Sequence, residues 1–297
     1  MTTIVGFVSE KGGVGKTTAC YHIAVALSAY HHKKVLVVDT DYQRGGITCR
    51  LVPDLLDDFR NGKLDGRTLF DQFQLLYSGQ EPDRKVDLVD ARVLGQTIKL
   101  LPADPRLAQV TVEKMPASNN IRENNRRLLA HLSIIKDALD PVSADFDYVL
   151  IDSHPELSDL LRTVVYACDY CVSPVKLDMQ STIGVPSAQE AINEVNEDMK
   201  MVSVALGEPP NYAPTVYAGS IAMMAREWGG MLIASERAQY RRLAMSGGVF
   251  KNYVTEGDGI RNAAAERCSV FEIVGANAER QADQFREVTK EFRIQCP

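Results

Sequence analysis

A glycine-rich loop close to the start of the sequence constrains this chain more than any other feature. Lys11-Gly12-Gly13-Val14-Gly15-Lys16-Thr17-Thr18 follows the apolar run Ile4-Val5-Gly6-Phe7-Val8 and precedes Cys20-Tyr21-His22-Ile23-Ala24-Val25-Ala26-Leu27. The first run reads as a buried strand and the last as a helix. Strand, glycine loop and helix in that order form the context in which such a loop cradles phosphates. Glycines let backbone N–H groups converge on phosphate oxygens without a Cβ in the way, and the helix N-terminus adds the positive end of its dipole. Lys16 is then expected to reach the β- and γ-phosphates, and the Thr17 hydroxyl to ligate Mg²⁺. A nucleoside triphosphate is the implied ligand.

The rest of the chain alternates apolar strands with amphipathic helices, which predicts an α/β fold: a mostly parallel twisted sheet covered by helices on both faces. Strands are expected at Lys34–Asp39, Ile98–Pro102, Phe146–Asp152, Tyr170–Val175 and Thr215–Met224. Helices are expected over Asn120–Leu139, Val185–Met199, Leu232–Met245, Gly259–Cys268 and Ala276–Phe292, and Pro209-Pro210-Asn211-Tyr212 reads as a turn. Residues 42–96 break the alternation. They carry Pro53, Pro82, several glycines and many acids, with a weak helical patch at Leu69–Leu76, and read as an irregular insertion. Without a repeat or flexible linker, residues 1–297 read as one P-loop domain.

Two acidic segments supply what magnesium–nucleotide chemistry needs, carboxylates at strand C-termini beside the glycine loop. Asp152 closes the run Tyr148–Ile151 and fits an acid that holds the metal directly or through a water. Asp39 and Asp41 close Val35–Val38.

The loop also departs from the common pattern G-x-x-x-x-G-K-[ST]: Glu10 stands at the first glycine, and Lys11 precedes Lys16 by five residues. K-G-G-x-G-K-T-T resembles the deviant Walker A box of the ParA/MinD superfamily of ATPases. Asp39–Gln43 resembles that family's D-x-D-P-Q box, with Tyr42 in place of proline, and Asp152-Ser153-His154-Pro155 its D-x-x-P box. The resemblance implies a P-loop NTPase fold, ATP and Mg²⁺ as ligands, and a homodimer in the ATP state. It implies that Gly12 through Thr18 bind ATP and that Lys11 contacts the phosphates held by the partner subunit. Asp41 would orient the attacking water, while Asp39 would support Mg²⁺ together with Thr17 and Asp152. Gly219–Met224 is similar to the strand whose end contacts adenine, placing Met223 and Met224 near the base. ParA-like members position cargo by nonspecific DNA binding, and a cargo-bound protein stimulates their hydrolysis. The implied function is therefore ATP-controlled positioning or segregation of a plasmid, a chromosome or a protein compartment.

Composition bears on where such a protein would act. Six cysteines without a secretion signal suit a reducing cytosol, and the resemblance implies nucleoid association in the ATP state. A net charge of −6 argues against whole-surface attraction to nucleic acid, yet from residue 220 onward there are 11 Lys+Arg against 10 Asp+Glu. Arg237, Arg241, Arg242, Lys251, Arg261 and Arg267 could form a phosphate-directed DNA footprint merged across a dimer, or could be ordinary surface charges.

Two rival readings remain. Cys168 and Cys171 could hold half of a metal cluster shared across a dimer, although small cysteines at a helix–strand junction more often pack into a core. A MinD-like membrane helix would have to be the last one. That helix balances Arg280, Arg286, Lys290 and Arg293 against Glu279, Asp283, Glu287 and Glu291, so no attraction to a bilayer is expected.

Overall fold

The apolar runs become the strands of one seven-stranded sheet in a computed structural model that describes residues 2–43, 46–116, 118–207 and 212–297. In chain order the strands are β1 (Thr3–Phe7), β2 (Val35–Asp39), β3 (Val89–Val93), β4 (Gln96–Leu101), β5 (Tyr148–Asp152), β6 (Tyr170–Val175) and β7 (Val216–Ala222). Their spatial order is β3-β4-β2-β5-β1-β6-β7. Every neighbouring pair is parallel except β3–β4. Strand β1, which leads into the glycine loop, lies near the middle of the sheet.

Side chains alternate between two cores, as the two-residue period of a strand requires. Val5, Phe7, Val35, Val37 and Leu150 face α1 (Lys16–His31) and α10 (Ala276–Gln295). Ile4, Leu36, Val38, Val149 and Ile151 share the opposite core with four further helices: α4 (Leu69–Tyr77), α5 (Ile121–Ser143), α6 (Asp159–Ala167) and α7 (Met179–Leu206). Burial on both faces is why these strands are continuously apolar. Helix α1 is buried almost all round, which fits its lack of a polar stripe. Its His22 is locked at both ring nitrogens: Nδ1 lies 2.8 Å from the Thr18 carbonyl, and Nε2 accepts the Val270 amide at 3.1 Å.

Segment 42–96 is more ordered than its composition suggests. Short helices α2 (Thr48–Leu51) and α3 (Leu56–Arg60) open it, α4 follows, and β3 ends it as an antiparallel edge strand. In β3 the exposed Asp90 and Arg92 alternate with the buried Ala91 and Val93. Charges of that kind protect an edge from further pairing and also mask its strand signature. Helix α4 begins in a reciprocal cap between Thr68 and Asp71.

Helix α7 also starts earlier than Val185. The Asp178 carboxylate accepts the Ser181 amide at 2.6 Å, so Pro186 lies inside the helix rather than in its first turn. The Pro209–Asn211 part of the expected turn lies outside the described residues. A short hairpin, β8 (Glu227–Trp228) with β9 (Met231–Leu232), leads to α8 (Ala234–Ser246) and α9 (Asp258–Ala265). Ala282, Phe285, Val288 and Phe292 of α10 are buried; Phe285 stacks on His22 and Phe292 on Phe7. The apolar face of the last helix is thus spent on the core. Among the described residues no helix is long and apolar enough to cross a membrane.

His131 of α5 is 1% exposed, packed beside Phe73 and Tyr77, and neither ring nitrogen has a hydrogen-bond partner. Burial lowers its pKa from 6.5 to about 4. The unfolded chain therefore takes up a proton that the folded chain refuses, and stability falls as pH drops from 6.5 towards 4. This group's contribution to that slope is about 1.4 kcal/mol per pH unit. Urea unfolding of His131→Leu at pH 7 and pH 5 is expected to lose less stability on acidification than the parent chain does. Parallel losses in the two proteins would refute the assignment.

Candidate active site

The site is assembled by strand register. Asp39 at the end of β2 pairs with Asp152 at the end of β5, and Asp152 pairs in turn with Phe7 at the end of β1. Three parallel strands therefore end side by side, and two carboxylates meet where the glycine loop departs. The pairing extends past the strands: the Thr40 amide and hydroxyl both donate to the Asp152 carbonyl, at 2.9 and 3.0 Å.

Gly13 and Gly15 hold φ values of +73° and +93°, conformations that L side chains rarely adopt. A Cβ on Gly15 would stand 3.3 Å from the Met223 Cβ and 3.4 Å from the Met224 Cε. Both methionines, expected near the base, thus line the loop. Val14 is buried, while Gly12 and Gly13 are exposed. Gly15 caps α1, and no acid occupies the helix's first turn, leaving its N–H groups and dipole available to an anion.

Lys16 is 6% exposed, and its Nζ has no hydrogen-bond partner. Burial lowers its pKa to about 8, against the pull of Asp152, Asp41 and Asp39. Asp152 is fully buried with neither oxygen partnered. Burial, joined by the nearby Asp39, raises its carboxyl to about 8, with Lys16 and the Thr17 hydroxyl opposing. Stranded buried ions cost several kcal/mol each. An unpartnered ammonium and an unpartnered carboxylate around one glycine loop are the donor set that a phosphate and a hard cation would satisfy.

Asp39 is held differently. Its carboxylate accepts the Thr48 amide at 2.9 Å, the Thr48 hydroxyl at 2.7 Å and the Asp41 amide at 2.9 Å. Burial still lifts its pKa to about 6, with those bonds opposing. Asp39 is therefore a brace for the acidic loop as well as a metal candidate. Thr48 was not legible as a site residue, because it sits in the segment that reads as irregular. It also accepts the Ala103 amide at 3.0 Å, tying the start of that segment to the strand edge.

Asp41 is partly exposed and takes two donors on Oδ1, the Gln43 amide at 3.1 Å and Nδ1 of His154 at 3.0 Å. The Tyr42 ring stacks on His154 at 4.1 Å, which gives the departure from proline at position 42 a packing role. Lys11 is half-buried in the loop before Gly12. Its amide is held by the Ser9 hydroxyl at 3.2 Å, and no acid lies within salt-bridge distance of its ammonium among the described residues.

The basic residues of the C-terminal region do not join this cluster. Arg237, Arg241 and Arg242 lie on α8, Arg261 on α9, and Lys251 and Arg267 in loops; all six are exposed. Arg261 is matched by Glu256 and Asp258, at 3.9 and 3.4 Å, and Arg237 donates to the Leu232 carbonyl at 2.9 Å. Cys168 and Cys171 are 3% and 0% exposed, and their sulfurs would be 2.9 and 3.2 Å from a Cβ at Gly6. They pack inside the subunit. Among the described residues no three His, Cys, Asp or Glu side chains gather into a metal-holding group.

The AAA-domain family AAA_31 matches residues 2–203. The sporulation initiation inhibitor protein Soj of Bacillus subtilis is 29% identical over 69% of this chain and 72% of its own length. The chromosome partitioning protein ParA of Myxococcus xanthus is 26% identical over 68% of this chain and 64% of its own length. Among solved structures, a Cyanothece McdA variant in complex with ATP superposes with a TM-score of 0.71, at 16% identity, over 98% of this chain and 96% of that one. A putative plasmid partition protein of Borrelia burgdorferi bound to AMPPNP gives 0.66 at 15% identity, over 99% of each chain. At such identities the superpositions speak for the fold.

Asp152→Asn removes a carboxylate that burial already disfavours. In thermal unfolding it is expected to leave the midpoint of the nucleotide-free protein unchanged or higher. It should also cancel the rise that Mg·ATP gives the parent chain. Ligand at a hundred times its Kd contributes about 2.7 kcal/mol, or roughly 5 °C in a domain of this size. A full rise in the variant would show that Asp152 does not hold the metal.

Proposed function

The chain belongs to the AAA_31 family of AAA domains and is a P-loop ATPase of the ParA/MinD type, and from that premise we propose that it positions a cargo by ATP-controlled dimerisation and nonspecific DNA binding. The observation that carries the proposal is the unequal state of the two loop lysines. Lys16 is buried against Asp152 and Asp39, whereas among the described residues no acid lies within salt-bridge distance of Lys11, whose charge reaches only as far as drawing Asp178 towards its ionised form. A cation left over at the mouth of a phosphate site is suited to phosphates bound by a second subunit.

In this reading Gly12 through Thr18 wrap the phosphates and Lys16 neutralises the β- and γ-oxygens. Thr17, Asp39 and Asp152 would hold Mg²⁺, which supplies charge neutralisation on the phosphates. Asp41 orients the attacking water; the water oxygen bonds to the γ-phosphorus as the bond to the bridging oxygen breaks, and the water's proton leaves with the phosphate, giving ADP and inorganic phosphate. Lys11 from the partner adds positive charge where negative charge develops, so hydrolysis depends on the dimer. Met223 and Met224 flank the base.

DNA binding would draw on Arg237, Arg241, Arg242, Lys251 and Arg267, with Arg261 weakened by its acid neighbours. One subunit presents a modest charge, and pairing two subunits doubles the phosphates neutralised. Affinity should then fall steeply with salt. A cargo-bound protein would stimulate hydrolysis and release the dimer from DNA, and the protein would lie on the nucleoid in its ATP state. The enclosed cysteine pair and the buried apolar face of α10 speak against the cluster-carrier and membrane-surface alternatives.

Binding to nonspecific duplex DNA at low and moderate salt tests the reading. ATP, but not ADP, is expected to promote binding. Lys11→Ala should lower affinity at least tenfold, and Asp41→Ala should preserve or prolong it. Dimerisation by ATP with no DNA binding at either salt would leave the nucleotide switch intact and refute the track.

A further inference from the structure

His154 lies two residues beyond Asp152, on the loop that leaves β5, and its side chain is 2% exposed. Its Nδ1 stands 3.0 Å from Oδ1 of Asp41, on the loop that leaves β2. A carboxylate only accepts, so Nδ1 carries the hydrogen and donates it. The Gln43 amide donates to the same oxygen at 3.1 Å. With two donors on Oδ1, the oxygen left for a water is Oδ2, and it has no protein donor among the described residues.

The imidazole is itself fixed. The Tyr42 ring covers it at 4.1 Å with 30° between the planes, and the Tyr42 hydroxyl donates to Glu156 at 3.5 Å. Nε2 of His154 has no hydrogen-bond partner and lies 3.6 Å from the other Glu156 oxygen. Tyr42 and Asp41 come from one acidic loop, His154 and Glu156 from the other. The stack and the Nδ1 bond are therefore side-chain ties between the loops that flank the Lys16 cluster. A proline at position 42 could supply neither the aromatic face nor the hydroxyl.

We propose that His154 is a positioning residue for ATP hydrolysis: it acts through Asp41, fixing which carboxylate oxygen faces the attacking water, while Tyr42 clamps the imidazole in place. The inference rests on the reading of Asp41 as the water-orienting acid. Its physical basis is orientation. A carboxylate free to rotate presents either oxygen over a range of angles, and small misplacements of a reacting group cost large factors in rate. Substrate binding is expected to be untouched, because among the described residues no hydrogen bond, ion pair or ring contact joins His154 to the glycine loop or to Lys16.

Steady-state ATP turnover of the full chain with Mg²⁺ and duplex DNA provides the test, alongside ATP binding and thermal unfolding. His154→Phe keeps a ring on Tyr42 without the donor, and His154→Asn returns an N–H to the Nδ1 position. The Phe variant is expected to lose about tenfold in kcat, with KM, ATP affinity and unfolding midpoint close to the parent values. The Asn variant should recover to within about threefold of the parent. Parental turnover in the Phe variant, beside an inactive Asp41→Ala, would overturn the role of His154 and leave that of Asp41 standing. So would a loss accompanied by a raised KM or lowered midpoint, or one that Asn does not repair, since each marks a packing role. Undiminished turnover in Asp41→Ala would overturn the reading of Asp41 itself, and the inference with it.

Discussion

Parallel pairing of β5 between β1 and β2 is the constraint on which the site depends. It brings Asp152 beside Asp39, puts both next to the strand that feeds the glycine loop, and buries them together beneath Lys16. No local segment could hold two carboxylates and an ammonium out of water. The sheet does so because its strands are apolar on both faces and sealed by α1 and α10 on one side and α4 to α7 on the other. Desolvation then places Lys16 and Asp152 at pKa values near 8. Buried charges of both signs in this setting are a donor set that a magnesium–phosphate ligand would satisfy.

The three acids are held in three ways, and the differences suit three tasks. Asp152 has no hydrogen-bond partner and is open to a metal. Asp39 is braced by Thr48 and by the amide of Asp41, so a change at Asp39 reaches the loop that carries Asp41. Asp41 is partly exposed, with one oxygen tied to His154 and Gln43. The gradient from buried and unpartnered, through buried and braced, to half-open and oriented matches the proposed roles of metal ligand, brace and water-orienting acid.

Segment 42–96 shows how composition can mislead. Its acids and prolines hide Thr48, which bonds Asp39 and Ala103, and β3, whose charges belong to an edge strand. Local periodicity failed there because the decisive contacts lie between residues 9 and 55 positions apart. Helix α7 failed at its start for a related reason. The Asp178 cap and the following turn carry the helix past Pro186, whereas a proline in a sequence reads as a boundary.

The sequence by itself determined the phosphate loop, the strands β1, β2 and β4 to β7 with the long helices between and after them, and the identity of Lys16, Thr17, Asp39, Asp41 and Asp152 as the groups of interest; α6 and the β8–β9 hairpin, like β3, were not legible. What was legible follows from short-range rules: glycines where φ is positive, apolar runs where strands are buried, acids where strands end. Tertiary structure alone decided that Asp39 and Asp152 are neighbours, that both methionines reach Gly15, and that α10 spends its apolar face on His22 and Phe7. It also decided that Cys168 and Cys171 are enclosed, and that Tyr42 and His154, 112 positions apart, stack and tie Asp41 down. Each is a contact between segments remote in the chain, set by strand register and desolvation, and neither of those quantities exists before the chain has folded.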